Sequence, residues 1–197
     1  MKKLVLFFAL LLSVAVFGQK LRLVSGNLDF LKDVQELNVE FDFSEVTFYK
    51  ENISESQYIE RRKKEISQNK NEAEFERWEK DWQRTKTVQI PEKFLASFNK
   101  YQKKMKAATG VNSKYTLKVK TTWIYPGWFA GVMSQPSKVS TLHQFVETAN
   151  PSKVLAEIEC LNALGDNYVG LPNNNDRIAE AYAKTSKELV QFIAKKL

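Results

Sequence analysis

The feature that most constrains this chain is the uneven spacing of its alternating segments. One stands at Glu36–Phe43, where Leu37, Val39, Phe41 and Phe43 alternate with Asn38, Glu40 and Asp42, the period of a half-buried strand. Residues Val46–Tyr49 extend it or form a short second piece. The next clear alternation begins only at Tyr115. The 55 residues from 54 to 108 have helical character instead. A connection that long permits a crossover, so the first strand is free to pair in parallel. The strands after Tyr115 are joined by short turns, which makes them antiparallel neighbours.

Three helices are expected in the long stretch. Ser54 can cap the first, with Gln57 three residues on as its capping-box partner, and Tyr58, Ile59, Arg62 and Ile66 form its apolar stripe. Phe75, Trp78 and Trp82 stand at i, i+3 and i+7, a helical face that should be packed against the sheet or a neighbouring helix. Pro91 suits the first turn of a third helix. Phe94, Phe98, Tyr101 and Met105 are its stripe, and Gly110 fits just past its end. Three strands follow. Tyr115, Leu117, Val119, Thr121 and Trp123 alternate with Thr116, Lys118, Lys120 and Thr122, until Pro126 and Gly127 break the strand. Val139–Ala149 is the next, Asn150-Pro151-Ser152 reads as a turn, and Val154, Ala156, Ile158 and Cys160 mark the last. Asn175 caps a final helix with the stripe Ile178, Tyr182, Thr185, Leu189 and Ile193, closed by Leu197. The expectation is an α+β domain with a mixed, mainly antiparallel sheet of four to five strands. Helices pack on one face, in the order β-α-α-α-β-β-β-α.

The N-terminus reads MKKLVLFFALLLSVAVFGQ. Lys2 and Lys3 precede 14 residues, Leu4 to Phe17, interrupted only by Ser13. A helix of that length spans about 21 Å, short of the ~30 Å hydrocarbon core, so it reads as a signal peptide cut after Gly18. Residues 1–18 are then the leader and 19–197 a single α/β domain, periplasmic or secreted, with no transmembrane segment. Cys160 becomes a thiol in an oxidising compartment, and its strand setting suggests burial as a small apolar group.

Composition excludes several chemistries. One Cys cannot form an intramolecular disulfide, and one His excludes two-His and three-His metal sites. No G-x-S-x-G, P-loop or dinucleotide fingerprint is present. His143 suits a hydrogen-bonded sheet histidine better than a base. Glu157 and Glu159 share a strand face, a weak basis for a glycosidase pair. The loop Gly165–Asp176 is rich in oxygen donors but lacks EF-hand spacing, and reads as a β–α connection. No cofactor and no metal site is expected.

Two features favour binding. The charge is uneven: residues 54–108 carry 14 basic and 9 acidic side chains, and residues 109–136 carry 3 basic and none acidic. The basic residues include Arg61-Arg62-Lys63-Lys64 and Lys100, Lys103, Lys104 and Lys106, with Lys118 and Lys120 on one side of a strand. An exported protein meets no chromatin, so anionic glycans or lipid headgroups suit this charge better than nucleic acid. The second feature is the stretch Trp123-Ile124-Tyr125-Pro126-Gly127-Trp128-Phe129-Ala130-Gly131-Val132-Met133, rich in aromatic rings, at one end of the sheet. Its rings either anchor a partner or fold back as a flap, and Trp128 and Phe129, being adjacent, cannot both face one core if the loop is extended.

The leader ending in Phe-Gly before Gln19 resembles exported proteins of Bacteroidetes-type bacteria. So do the phrases Leu37-Asn38-Val39-Glu40-Phe41-Asp42, Tyr125-Pro126-Gly127, Phe145-Val146-Glu147-Thr148-Ala149 and Ala181-Tyr182-Ala183-Lys184, which resemble uncharacterised exported α/β proteins of that group, a domain of unknown function. The resemblance implies fold and compartment and brings no catalytic residues. The reading is therefore a non-enzymatic envelope binding module, using Trp123, Tyr125, Trp128, Phe129, Lys118 and Lys120 toward an envelope protein or an anionic glycan or headgroup. The alternative is a carboxylate-dependent hydrolase or carbohydrate-active enzyme.

Overall fold

The computed structural model describes residues 20–130, 133–165 and 174–197; the expected signal peptide and most of the loop before the last helix lie outside them. The strands are β1 (Lys20–Gly26), β2 (Glu36–Asp42), β3 (Thr47–Phe48), β4 (Ile53–Ser54), β5 (Lys106–Ala108), β6 (Tyr115–Tyr125), β7 (Trp128–Ala130), β8 (Met133–Gln135), β9 (Lys138–Glu147) and β10 (Asn150–Leu164). The α-helices are α1 (Glu55–Asn69), α2 (Glu72–Arg84), α3 (Ile90–Tyr101) and α4 (Asn174–Lys196), and a π-helical turn, Thr85–Gln89, joins α2 to α3.

The α+β class and the mixed sheet hold, but among the described residues the sheet has eight strands, not four to five. Four strands precede α1 and six separate α3 from α4, so the expected order β-α-α-α-β-β-β-α does not hold. Its main path is β1-β10-β9-β6-β2-β5. β1, β10, β9 and β6 are antiparallel, whereas β2 lies parallel to both β6 and β5, as the long crossover permits. β3 runs parallel to β6 further along, pairing Thr47 with Trp123, and β4 pairs antiparallel with β3. The added strands escaped the sequence for a physical reason. β3, β4 and β5 are two or three residues long, too short to display a period, and the Leu21/Leu23 alternation of β1 comes soon after the apolar run Leu4–Phe17, which masks it. β7 and β8 form a separate two-stranded hairpin.

Local signals explain most boundaries. The Ser54 hydroxyl accepts from the Gln57 N–H while the Gln57 side chain accepts from the Ser54 N–H, closing the capping box. Two boundaries differ from expectation. α3 ends at Tyr101, and Met105 packs in the core beyond it, beside β5; Gly110 turns the chain after that strand rather than closing the helix. The turn into the last strand is Thr148-Ala149, because Asn150 already pairs with Glu147 and Asn150–Ser152 belongs to β10. The α4 stripe is buried as expected, but Leu197 is exposed past its end.

Cross-strand register gives the sheet two unlike faces. Phe41, Val119, His143, Ile158 and Leu23 form one row across five strands, under Phe94 of α3. One residue along, Asp42, Lys120, Leu142, Glu159 and Arg22 form a row on the other side, and Glu40, Lys118, Gln144, Glu157 and Ser25 the next. The first face takes the helices and the second is largely polar. A second part of the core lies where α1 and α2 meet β3. There Tyr58 stacks on Phe48 at 4.2 Å, and Trp82, fully buried, stands edge-on to both. Trp82 and Phe75 are buried and Trp78 half-buried, so the expected α2 face is the packed one. Among the described residues no helix is long and apolar enough to cross a membrane.

Candidate functional site

β6 carries one extra residue against β9 between Thr121 and Trp123. The bulge shifts the alternation, so that Ile124 takes the fully buried side and Trp123 and Tyr125 the other. Trp123 thus leaves the apolar row to which its spacing assigned it. Its Nε1–H donates to the Tyr49 carbonyl at 2.6 Å, and its ring stacks on Tyr125.

Tyr49 stands at the centre of this aromatic cluster. It has φ of +60°, a left-handed conformation that costs a non-glycine residue energy and that must be held by its surroundings. The holding contacts are visible. Its N–H donates to the Ile124 carbonyl at 3.0 Å, and its ring meets Tyr58 and Tyr125 edge-on at 5.8 and 6.1 Å. The Arg61 guanidinium lies over the same ring, 4.3 Å from its centroid. Burial raises the Tyr49 phenol above its usual range, Glu65 adds to this, and Arg61 and Arg62 oppose it.

A cleft of about 440 Å³ opens beside the cluster. Its walls come from three segments remote in sequence: Tyr49–Glu51 after β3, Arg61, Arg62 and Glu65 on α1, and Tyr125, Gly127, Trp128 and Gln135 around the β7–β8 hairpin. Asn174, at the start of α4, completes it. The Gln135 Oε1 accepts from both the Tyr125 hydroxyl, at 2.5 Å, and the Trp128 Nε1–H, at 3.0 Å, so one side chain sets both rings. Arg61 pairs with Glu51 at 3.6 Å and Glu65 at 3.4 Å, and Arg62 with Glu65 at 2.5 Å. Gly127 has φ of +71°, and a Cβ there would lie 2.5 Å from the Gln135 carbonyl oxygen, so only glycine lets the hairpin fold back this closely. The result is a polar cleft lined by aromatic rings, with Trp128 41% exposed.

The expected site residues divide accordingly. Tyr125 and Trp128 line the cleft, and Trp123 supports it from behind through Tyr49. Phe129 lies in β7, its backbone paired with Ser134. Lys118 and Lys120 do not line the cleft. They sit in the polar rows opposite Glu40 and Asp42, and Lys120 pairs with Glu45 at 2.6 Å. Lys120 is five residues before Tyr125, roughly 16 Å along a strand rising about 3.3 Å per residue. Tyr49, Arg61, Glu65 and Gln135 were missed as site residues. Arg61 read as part of a basic run, and nothing in the spacing joins it to Gln135.

Other candidates have structural settings. His143 is buried with Nε2 3.2 Å from the Thr141 hydroxyl, and burial holds its imidazole down to about 3. Cys160 is buried in β10, with its Sγ 3.9 Å from the Thr185 hydroxyl. Glu157 accepts from the Gln144 amide and the Ser25 hydroxyl, and Glu159 pairs with Arg22. The oxygen-rich loop lies mostly outside the described residues.

No family profile matches the chain, and no curated protein matches it in sequence. Among solved structures, the PelC dodecamer from Paraburkholderia phytofirmans aligns over 88% of this chain and 98% of its own, at 12% identity and a TM-score of 0.38. A point variant of the same protein aligns over the same shares at 13% identity and 0.35. A Xanthomonas campestris protein described by the domain-of-unknown-function family DUF330 aligns over 52% of this chain and 58% of its own, at 13% identity and 0.35.

Proposed function

We propose that this chain is an exported, non-enzymatic binding protein of the Bacteroidetes type whose cleft at the end of β6 takes a carbohydrate segment. The observation that carries the reading is the convergence of three rings, Tyr49, Tyr125 and Trp128, on one polar cleft around a strained Tyr49. Sugars present both C–H faces, which lie against aromatic rings, and hydroxyls, which bond to fixed planar groups such as Arg61, Glu65, Gln135 and Asn174. Backbone strain held at a cleft is the mark of a site kept for use. The hydrolase alternative lacks support of this kind: Glu51 and Glu65 both pair with Arg61, and Glu157 and Glu159 lie on the polar sheet face.

Calorimetric titration of the chain from Gln19 with a panel of defined oligosaccharides tests the proposal. Binding of one class is expected, with Trp128→Ala weakening it at least tenfold while the melting temperature stays within a few degrees. No binding across the panel, or undiminished binding by the variant, overturns the cleft reading. Cleavage of any bound sugar overturns its non-enzymatic part. Export is tested separately, by the intact mass of the protein from its native envelope. A start at Gln19 is expected, and a mass retaining residues 1–18 overturns it.

A further inference from the structure

α3 and α4 lie side by side and parallel. Lys93 pairs with Glu180, the Ser97 hydroxyl donates to the Ala183 carbonyl at 2.6 Å, and Lys187 reaches Tyr101. Between them runs a groove of about 400 Å³. Lys93, Lys100, Lys184 and Lys187 border it, against one bordering carboxylate, Glu180, which Lys93 already engages. Ala96 and Ala183 leave the groove open between the helices.

Two ammonium groups converge at one end. Lys100 Nζ lies 5.5 Å and Lys187 Nζ 5.3 Å from the centroid of the Tyr101 ring, which is 40% exposed. The two charges are therefore within about 11 Å of each other. Among the described residues neither pairs with a carboxylate. Helix-end electrostatics accounts for only part of this. Lys100 is in the last turn of α3, where a cation offsets the exposed carbonyls, but Lys187 lies nine residues before the end of α4, beyond the reach of that effect. On the polar sheet face, by contrast, Lys118 and Lys120 stand opposite Glu40 and Asp42, and Lys120 pairs with Glu45.

We propose that this groove is a second binding site, for a phosphate ester, seated between Lys100 and Lys187 with its organic part against Tyr101. The cations bordering it are all lysines. Lysine meets phosphate as a point charge from any direction, whereas flat carboxylates favour the paired donors of arginine. Lipid headgroups and phosphorylated sugars share this chemistry. The groove shares no lining residue with the aromatic cleft, so the two sites are independent.

Two probes test it at 0.15 M salt, on the chain from Gln19: glycerol 3-phosphate by calorimetry, and cosedimentation with vesicles containing phosphatidylglycerol, against phosphatidylcholine alone. Binding to at least one anionic probe is expected. Lys100→Gln with Lys187→Gln should weaken it at least tenfold. Lys64→Gln with Lys80→Gln, which removes the same charge from α1 and α2, should change it less than threefold. Glu180→Gln, which frees Lys93, should strengthen it. Binding of glycerol 3-phosphate without vesicle binding identifies the source as a soluble ester, and the reverse as a membrane surface. Failure to bind either probe, or equal losses in the two double variants, overturns the proposal. Both outcomes leave oligosaccharide binding in the cleft untouched, so the two readings fail separately.

Discussion

The two halves of β6 hold the contrast that organises this molecule. From Tyr115 to Thr121 the strand is one member of a regular ladder, flanked by β2 and β9, with apolar rings and methyls under the helices and lysines facing acids on the other side. From Trp123 to Tyr125, past one extra residue, it still pairs with β9, but the two-residue β3 takes the place of β2, and its side chains enter an aromatic cluster beside a cleft. The first half is built on regular register, with Lys118 and Lys120 set opposite Glu40 and Asp42. The second is held by a strained tyrosine, a close glycine turn and one glutamine serving two rings. The sequence presents both halves as a continuous alternation, and a single inserted residue separates the regular ladder from the cleft.

The largest expected effect sharpens that contrast at the floor of the second half. Trp82 is fully buried between Tyr58 and Phe48, and its Nε1–H donates to Glu55 at 2.7 Å. Trp82→Ala should cost roughly 3–5 kcal/mol, as emptying a buried aromatic site does. Chemical denaturation measures it. A loss under about 0.5 kcal/mol, the surface level, would mean that the aromatic cluster does not support the end of the sheet. Next in size is Gly127→Ala. The substitution places a methyl group on backbone atoms of the partner strand and forces a left-handed conformation on alanine, for an expected cost on the order of 2–3 kcal/mol. It should also disturb the Tyr125–Gln135–Trp128 contacts, and so change Trp128 fluorescence.

What could be read in the sequence came from period and length. The α2 face, the α4 stripe and the four long strands each extend over at least seven residues, and tertiary packing agrees with them; the Ser54 capping box is legible as a motif of two residues at fixed spacing. The parts that could not be read are short or non-local. β3 and β4 offer two residues each. The bulge in β6 is invisible because both sides of it alternate correctly. The cleft unites Tyr49, Arg61 and Gln135 across 86 positions, with no motif to join them. The aromatic crowding around Pro126-Gly127 lies at the end of the sheet where the cleft opens. Lys118 and Lys120 stand in the polar rows outside the cleft, a placement hidden in the sequence because charge on a strand says nothing about which charges stand on the strands beside it.

A smaller effect separates the helix-facing row from the polar one. His143 stands in the apolar row, and burial lowers its folded pKa to about 3 against an ordinary 6.5. The unfolded chain then binds a proton at a pH where the folded chain does not, so stability is complete above about 6.5 and falls as pH drops toward 3. The slope approaches roughly 1 kcal/mol per pH unit. This is the chain's single histidine, so between pH 7 and 5.5 it dominates side-chain titration. An expected loss of about 1 kcal/mol between those values, absent in His143→Leu, is measurable by denaturation at each pH. Equal slopes in the two proteins would place the imidazole in water rather than under Phe94.

The smallest effect belongs to the polar row itself. Lys120 pairs with Glu45, whose side chain is 73% exposed, and surface pairs of this kind contribute about 0–1 kcal/mol. Lys120→Gln should therefore cost less than about 1 kcal/mol and leave cleft binding within twofold. A spectroscopic consequence is more specific. Partial burial pushes the Asp42 carboxyl up, but the Ser44 N–H and hydroxyl, with Lys120 and Lys118, hold it below the usual carboxylate range. Removing the Lys120 charge should move the Asp42 titration upward, tracked by its side-chain carbon resonance. Because a lowered carboxyl stabilises the fold above its unfolded pKa and loses that contribution as pH falls, the variant should also be slightly less sensitive to acid below pH 4. An unmoved Asp42 with a tenfold loss of cleft binding would contradict the division of β6. It would mean that the lysine ladder and the aromatic cleft act as one site after all, joined along the strand that the bulge divides.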